Sequence, residues 1–411
     1  MGEGRYLTAR RAAEELEVTL ATLYAYVSRG MIRSEAVGGS GRSRRYRAED
    51  VRRLKERKER RRDPDFAVEG ALHWGTPIME SAITLITDEG LYYRGRDAVA
   101  LSSGSTIEEV AALIWTGDPS RVDELFTSEL PELPSRIRAA SGLPPIEAFQ
   151  ILLAAACAED PAAYDLRPDA VVRTGARILR LMARVAAGER ARGIAETLGR
   201  GWRPDDPGAR ALLDSALVLC ADHELPVSTF VARCVASSEA TPYAVVVAGL
   251  SAMGGVKHGG QVELVEAFLR EVEGVGDARA AISGRLRRGE RIPGFGHSLY
   301  PGGDPRGAEL LRLTSAAYPD ASAAALSVAD EALELIGERP TADFGLVTLA
   351  RALGLPPGAA VTLFALGRTV GWIGHAIEQY EGGSLIRPRA RYVGERPSRR
   401  AVDPERPARS G

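Results

Sequence analysis

Arg291-Ile-Pro-Gly-Phe-Gly-His297-Ser-Leu-Tyr-Pro-Gly-Gly-Asp304-Pro-Arg306 crowds glycines and prolines on both sides of one histidine. A backbone of that composition bends tightly and does not continue a helix, so the imidazole stands on a fixed loop. Arg306 can reach the same space. Imidazole titrates near neutrality, and a guanidinium fork matches a carboxylate with two hydrogen bonds. The pairing suits a small anionic substrate with a polarisable group.

The chain has five histidines, so their company is informative. His258, in Gly254-Gly-Val-Lys-His258-Gly-Gly260, is flanked by glycines as His297 is. Glycine there serves close backbone approach or unusual torsions, and both imidazoles read as functional. His223, between two carboxylates in Asp222-His-Glu224 at a helix end, fits a charge partner of the helix C-terminus or an anion ligand. His375, within an apolar helix, and His73, near Trp74, read as satisfied structural imidazoles. Asp343 precedes Phe344 in an irregular segment before an apolar helix. It fits a general base whose pKa desolvation raises, or the N-cap of a helix starting at Phe344. Arg306, Arg368 and Arg387 stand in settings unlike a solvated face. Each fits a structural ion pair, and a substrate with two carboxylates would satisfy them too.

Behind these residues lie 411 positions, 45% hydrophobic and 26% charged, enough for two or three domains and a large core. No run of 18 or more uncharged apolar residues suggests a membrane span, and the first residues lack the apolar core of a signal peptide. Cys157, Cys220 and Cys234 have no metal-ligand spacing and read as reduced core thiols of a cytoplasmic protein. The net charge of −2 hides an asymmetry. Residues 1–62 hold 17 Lys and Arg against 9 Asp and Glu, leaving 36 against 46 in residues 63–411. A basic module on an acidic body is the pattern of a nucleic-acid-binding appendage.

Within that module, Tyr6-Leu-Thr8 is expected to open a short helix capped by Thr8, with Ala12, Ala13 and Leu16 inward. Thr19 then caps a second helix, Leu20 to Ser28, carrying Leu20, Leu23 and Val27 inward and leaving Thr22, Tyr24 and Tyr26 exposed to meet bases or phosphates. The short turn between them suits a helix-turn-helix. A glycine-tipped hairpin with a basic strand (Arg42, Arg44, Arg45) and a strongly basic helix from Ala48 to Arg62 follow. This order resembles the winged helix-turn-helix domains of MerR and excisionase type, carried by Ala21-Thr-Leu-Tyr24, Gly30-Met-Ile32 and Arg44-Arg-Tyr46. The resemblance implies DNA as a partner; a basic module that docks on protein is the other reading.

Arg60-Arg-Arg-Asp-Pro64 marks the domain boundary at 62/63. A small hairpin, Ile83 to Thr87 and Leu91 to Arg96, opens the second domain. Helices are then expected over 107–116, 146–158, 170–187, 209–222, 227–236, 243–252 and 357–379, with breaks at Gly and Pro clusters. The Arg- and Pro-rich stretch 395–411 reads as a disordered tail.

From about Glu69 to Gly394 the chain resembles citrate synthase. The matching segments are Leu91-Tyr-Tyr-Arg-Gly95, Asp222-His-Glu224, His258-Gly-Gly260, Pro293-Gly-Phe-Gly-His297, Asp304-Pro-Arg306, Asp343-Phe344, Gly367-Arg-Thr-Val-Gly-Trp372 and Ile386-Arg-Pro-Arg389. Their order and approximate spacing follow the family. The resemblance implies a mainly α, two-lobed homodimer whose smaller lobe, roughly 228–345, closes over the substrates. It implies an acyltransferase that condenses acetyl-CoA with oxaloacetate, the thioester being a substrate, with no cofactor or metal. Asp343 would remove a methyl proton, His258 would stabilise the enol, and His297 would polarise the ketone. His223, Arg306 and Arg368 would hold oxaloacetate, joined by Arg387 from the partner subunit. Propionyl-CoA, as in a methylcitrate synthase, would use the same residues. A metabolite-sensing DNA-binding regulator is the rival reading. The family often has Gly-His-Arg-Val-Tyr-Lys; Ser298 and Pro301 here replace two basic residues near the expected CoA phosphates. Leu225-Pro226 and Gln261-Val262 are further departures.

Overall fold

The computed structural model describes residues 6–51 apart from 17, 29–31, 37–43 and 49, and residues 79–395 apart from 88–89, 127–131 and 135–141. Contacts divide the chain into two units, Met1–Glu80 and Ser81–Gly411. The boundary at 62/63, most of the basic helix 48–62, His73, Arg42 and all but the first residue of the 395–411 tail lie outside the described residues.

In the first unit, helices Ala9–Glu15 and Leu20–Ser28 pack with a three-stranded antiparallel sheet, in which Arg44–Arg47 lies between Tyr6–Thr8 and Ser34–Ala36. Ala12, Ala13, Leu16, Leu23, Ile32, Tyr46 and Val51 form its core. Thr8 caps the first helix as expected, its hydroxyl accepting from the Arg11 amide. Tyr6–Thr8, expected as the opening of that helix, is instead a strand, because it hydrogen-bonds along Arg45–Arg47, a partner no local pattern shows. Two further expectations are corrected. Leu20, the first residue of its helix, is 44% exposed and projects past the core that Leu23 fills. Tyr26 is half-buried and packs on that core, so of the three expected exposed positions Tyr24 stands out most. Thr22 is half-buried, its hydroxyl 2.9 Å from that of Thr19. Arg44 and Arg45 are exposed; Arg45 pairs with Glu35 at 3.0 Å and lies over the Tyr6 ring.

The second unit opens with strands Thr84–Ile86 and Leu91–Tyr93, joined by a third, Arg96–Asp97, that the sequence reading lacked. The rest is helical. Ile107–Thr116, Pro145–Ala158, Pro168–Ala187, Val227–Ala236 and Pro242–Met253 lie within two residues of expectation, while Ala209–Leu219 ends three residues early. Ala359–Gly382 is the axis of the unit. It is apolar nearly all round, as a helix enclosed by others must be, and all six of the helices just named pack on it. This helix is long and apolar enough to cross a membrane, but its apolar window is entirely buried in protein.

Buried carboxylates tie some helix starts together. Asp214 accepts from the Ile107 amide at 3.1 Å, and Glu108 from the Ile194 amide at 2.6 Å. Each thus faces the positive end of a neighbouring helix. Burial, with the nearby Glu108 charge, pushes the Asp214 carboxyl up to about 7. The folded state therefore binds this proton more tightly than the unfolded chain, so stability falls as pH rises from the ordinary carboxyl range to about 7. Asp214→Asn keeps an acceptor without the charge. It should flatten the decline in melting temperature between about pH 4 and about pH 7, an effect worth roughly 2–4 kcal/mol at neutral pH. Identical slopes in the two proteins would sink this assignment.

Candidate active site

The His297 loop is bolted to the segment that precedes Asp343. Phe295 and Pro340 form an antiparallel bridge, the Thr341 amide donates to the Gly294 carbonyl at 2.8 Å, and the Gly296 amide to the Arg339 carbonyl at 3.0 Å. Gly296 has φ +76°, a conformation that strains any residue with a Cβ, so glycine suits this turn. The Leu299 amide donates to His297 Nδ1 at 3.2 Å. In the neutral ring the hydrogen is therefore on Nε2, which leaves Nε2–H as a donor. Burial and the Arg306 charge lower the pKa of His297, which favours that neutral ring.

Asp304 joins three pieces. It caps helix Pro305–Ala317 by accepting from the Arg306 amide at 3.0 Å, takes Arg306 Nε and Nη2 at 2.9 and 2.8 Å, and accepts from the Ala342 amide at 3.0 Å. Burial works to raise the Asp304 carboxyl, but Arg306 overrides it and holds it low. Arg306 is thus fixed by one edge of its fork and keeps its remaining N–H groups for something else.

Asp343 is not an N-cap. Helix Ala342–Ala352 starts two residues earlier than that reading required, with Thr341 at the cap and Asp343 in its first turn. The Asp343 side chain is partly accessible yet closely surrounded by protein. Desolvation pushes its carboxyl up to about 6, against the opposing pull of Arg306 and with some help from Asp304. A carboxylate that gives up and regains its proton near neutrality is suited to general base work.

His223 is set by the residue before it. Asp222, fully buried, accepts from Thr84 Oγ1 at 2.6 Å and from the Glu224 amide at 3.1 Å, and lies 3.4 Å from His375 Nε2. The bond to Glu224, which adopts φ +58°, closes a sharp turn that aims His223 inward. Burial opposes the Asp222 charge, but His375, Arg368 and Thr84 outweigh it and keep the carboxylate ionised. His223 lies edge-on to His297, ring centroids 5.4 Å apart, and its Nε2 is 2.9 Å from the Tyr300 hydroxyl. Burial first, then Arg306, Arg368, His297 and His258, hold His223 far below the usual histidine range.

His258 sits in the turn between Pro242–Met253 and Gly260–Val275. Its neighbour Gly259 is needed for close approach, since a Cβ there would meet the Met253 carbonyl oxygen at 2.6 Å. Ser228 Oγ lies 2.7 Å from Nε2, so Nδ1 is the nitrogen left for a ligand. Burial, with Arg368, pushes His258 down to about 4. Arg368, 1% exposed, donates Nε to the Cys220 carbonyl and lies against Phe364, whose ring also meets His258 edge-on. No carboxylate lies within ion-pair distance of Arg368 among the described residues.

His223, His258, His297, Arg306, Arg368 and Asp343 are therefore brought into one electrostatic neighbourhood. Arg387 is not. It is exposed on the extended segment after Gly382. What this cluster offers is two buried cations for an anion, three uncharged imidazoles for oxygen atoms, and a carboxylate poised near neutrality.

The family profile described as citrate synthase, C-terminal domain, matches residues 71–389. The chain belongs to the citrate synthase family. It shares 32% identity with a citrate synthase of Haloferax volcanii over 363 residues, 78% of this chain and 95% of the relative. A 2-methylcitrate synthase of Shewanella oneidensis is 30% identical over 367 residues, covering 79% of this chain and 94% of that one. Among solved structures, citrate synthase from Thermotoga maritima superposes with a TM-score of 0.66 at 26% identity, over 79% of this chain and 95% of its own. A second profile, described as MerR HTH family regulatory protein, matches residues 7–70. As a member of the family the chain is an acyltransferase that converts the acyl group to an alkyl group on transfer, with a CoA thioester as substrate and no cofactor.

Sequence reasoning missed Tyr300, Ser228 and the role of Asp222 with His375 in this citrate synthase-family site. His375, expected to be a satisfied core imidazole, is completely buried, but its Nδ1 has no hydrogen-bond partner among the described residues. The signal for Asp222 was adjacent to His223; Tyr300 and Ser228 carried none, since only the fold brings them to their histidines.

Proposed function

We propose that the second unit condenses acetyl-CoA with oxaloacetate to give citrate and CoA. The convergence of Arg306 and Arg368 on the three uncharged imidazoles, with Asp343 beside them, carries this reading. Arg306, Arg368 and His223 bind the dicarboxylate, and His297 Nε2–H donates to its ketone oxygen. Asp343 takes a proton from the acetyl methyl group while the N–H left on His258 Nδ1 stabilises the enol oxygen, because neither acts alone on so weak a carbon acid. The enol carbon attacks the ketone carbon, the new alkoxide takes a proton from His297, and water cleaves the thioester to release CoA. Arg387 of each chain completes the partner's site in a homodimer, and closure of the lobe spanning roughly 228–345 excludes water until condensation is done. Propionyl-CoA is the second acyl donor to weigh, since a 30% identical relative is a 2-methylcitrate synthase.

The test is thiol release from acetyl-CoA and from propionyl-CoA with oxaloacetate. Oxaloacetate-dependent release supports a synthase, and the better acyl donor names it; none from either, by protein that still binds oxaloacetate, favours a sensor. With the proton of Asp343 lost near pH 6, kcat should fall about tenfold per pH unit below that value. A kcat that stays level down to about pH 4 would remove Asp343 as the base.

The first unit is proposed to bind DNA through Tyr24, Thr22 and Arg44, with Arg45 bracing the wing. Two such units in a dimer would read a palindromic site. Gel shifts should weaken steeply with salt, and salt-insensitive or absent binding would count against it.

A further inference from the structure

Tyr300 belongs to none of the roles above, yet it occupies the middle of the site. It is 4% exposed, its ring centroid lies 5.0 Å from that of His297 and 5.6 Å from that of His223, and the Arg306 guanidinium is 5.9 Å from it. Its backbone is held on both sides, its amide donating to the His297 carbonyl and its carbonyl accepting from the Gly303 amide, each at 3.0 Å. The ring therefore has little freedom to leave.

The hydroxyl has one hydrogen-bond partner among the described residues, Nε2 of His223 at 2.9 Å. Two arrangements are open to this bond. If Nε2 carried the hydrogen, the Tyr300 O–H would be a buried donor with no acceptor among the described residues, which is costly. If Nε2 is bare, the O–H is satisfied and the single hydrogen of the neutral imidazole must be on Nδ1. Nδ1 makes no hydrogen bond to any described residue. It is the nitrogen free to meet a ligand.

We propose that Tyr300 is a positioning residue for the dicarboxylate: its hydroxyl, donated to His223 Nε2, holds that ring in the Nδ1–H form and so presents an N–H to a substrate carboxylate. This rests on the reading of the site as an oxaloacetate site. Burial, first of its causes, keeps the phenol protonated by raising its pKa to about 12, so the donor persists across the working range. The arrangement also gives an uncharged histidine a use beside the buried arginines: a bare nitrogen lone pair aimed at a carboxylate would repel it, whereas Nδ1–H adds a donor.

Tyr300→Phe removes the hydroxyl and keeps the packing. Calorimetry should show oxaloacetate binding weakened about five- to tenfold. The KM for the acyl-CoA should change by less than about twofold, and melting should fall by only a few degrees, the cost of leaving His223 Nε2 without its partner. Ring 15N labelling of histidine, with only five in the chain, should show wild-type His223 with a protonated Nδ1 and a bare Nε2, a signature that mixes or reverses in Tyr300→Phe. An Nε2–H form in the wild type overturns the proposal, as does unchanged oxaloacetate affinity in the variant. Failure of wild type to release thiol removes the condensation reading alone, because the calorimetric and 15N results still decide Tyr300. Failure of wild type to bind oxaloacetate removes both.

Discussion

Asp343→Asn lowers oxaloacetate-dependent thiol release by about a thousandfold, while oxaloacetate affinity and melting temperature stay near wild type. The magnitude follows from what a positioned general base contributes, about 10²- to 10⁴-fold. The near-constancy of binding follows from geometry. Asp343 is not the helix cap, so its removal leaves the helix start intact, and Asp304, not Asp343, accepts from the Ala342 amide. An uncharged amide also relieves the desolvation that raises the carboxyl to about 6. Stability can therefore rise slightly at neutral pH. Coupled thiol detection at saturating substrate, with calorimetry on the same sample, checks the prediction. Residual turnover within about tenfold of wild type would mean that another group takes the proton.

Arg368→Met separates function from stability in a second way. Arg368 is buried in the longest helix, has a carbonyl as its hydrogen-bond partner, and is held below the usual arginine range by burial, with Asp222 pulling the other way. A buried cation without a close carboxylate is a burden on the fold that a bound dianion would relieve. Methionine fills a similar volume without charge. Oxaloacetate affinity should therefore drop about 30- to 100-fold, the loss of one or two charge-assisted hydrogen bonds. The melting temperature of the ligand-free protein should hold or rise. Asp222 does not become an orphan in this variant, because Thr84, the Glu224 amide and His375 remain around it. A large drop in melting temperature with affinity intact would assign Arg368 to the core instead.

The two variants also bear on the regulator reading. A sensor needs Arg368 and His223 but has no use for a carboxyl near neutrality. A chain in which Arg368→Met abolishes an oxaloacetate response while Asp343→Asn changes nothing measurable would be a sensor.

Much of this site was legible along the chain. Histidines among glycines, Asp-Pro-Arg, and an arginine in an apolar helix are local statements about backbone freedom and charge burial, and the order of those segments carried the family. Helix positions were legible for the same reason: burial repeats every three or four residues, and Ile107–Thr116 or Val227–Ala236 declare themselves within one window. Where a residue's state depends on a distant partner, the sequence was silent or misleading. Tyr6–Thr8 is a strand only because Arg45–Arg47 lies beside it. Asp343 lost its capping role because Thr341, bonded to Gly294, starts the helix earlier. The pairing of Tyr300 with His223 spans 77 positions and that of His375 with Asp222 spans 153. Which nitrogen of each imidazole carries its hydrogen, and how far each pKa moves, follow from those pairings and from burial in three dimensions. Residue types and spacing thus determined which chemistry is present in this chain; the tertiary structure decided the protonation and aim of each group, since desolvation and hydrogen bonds act through space and not along the backbone.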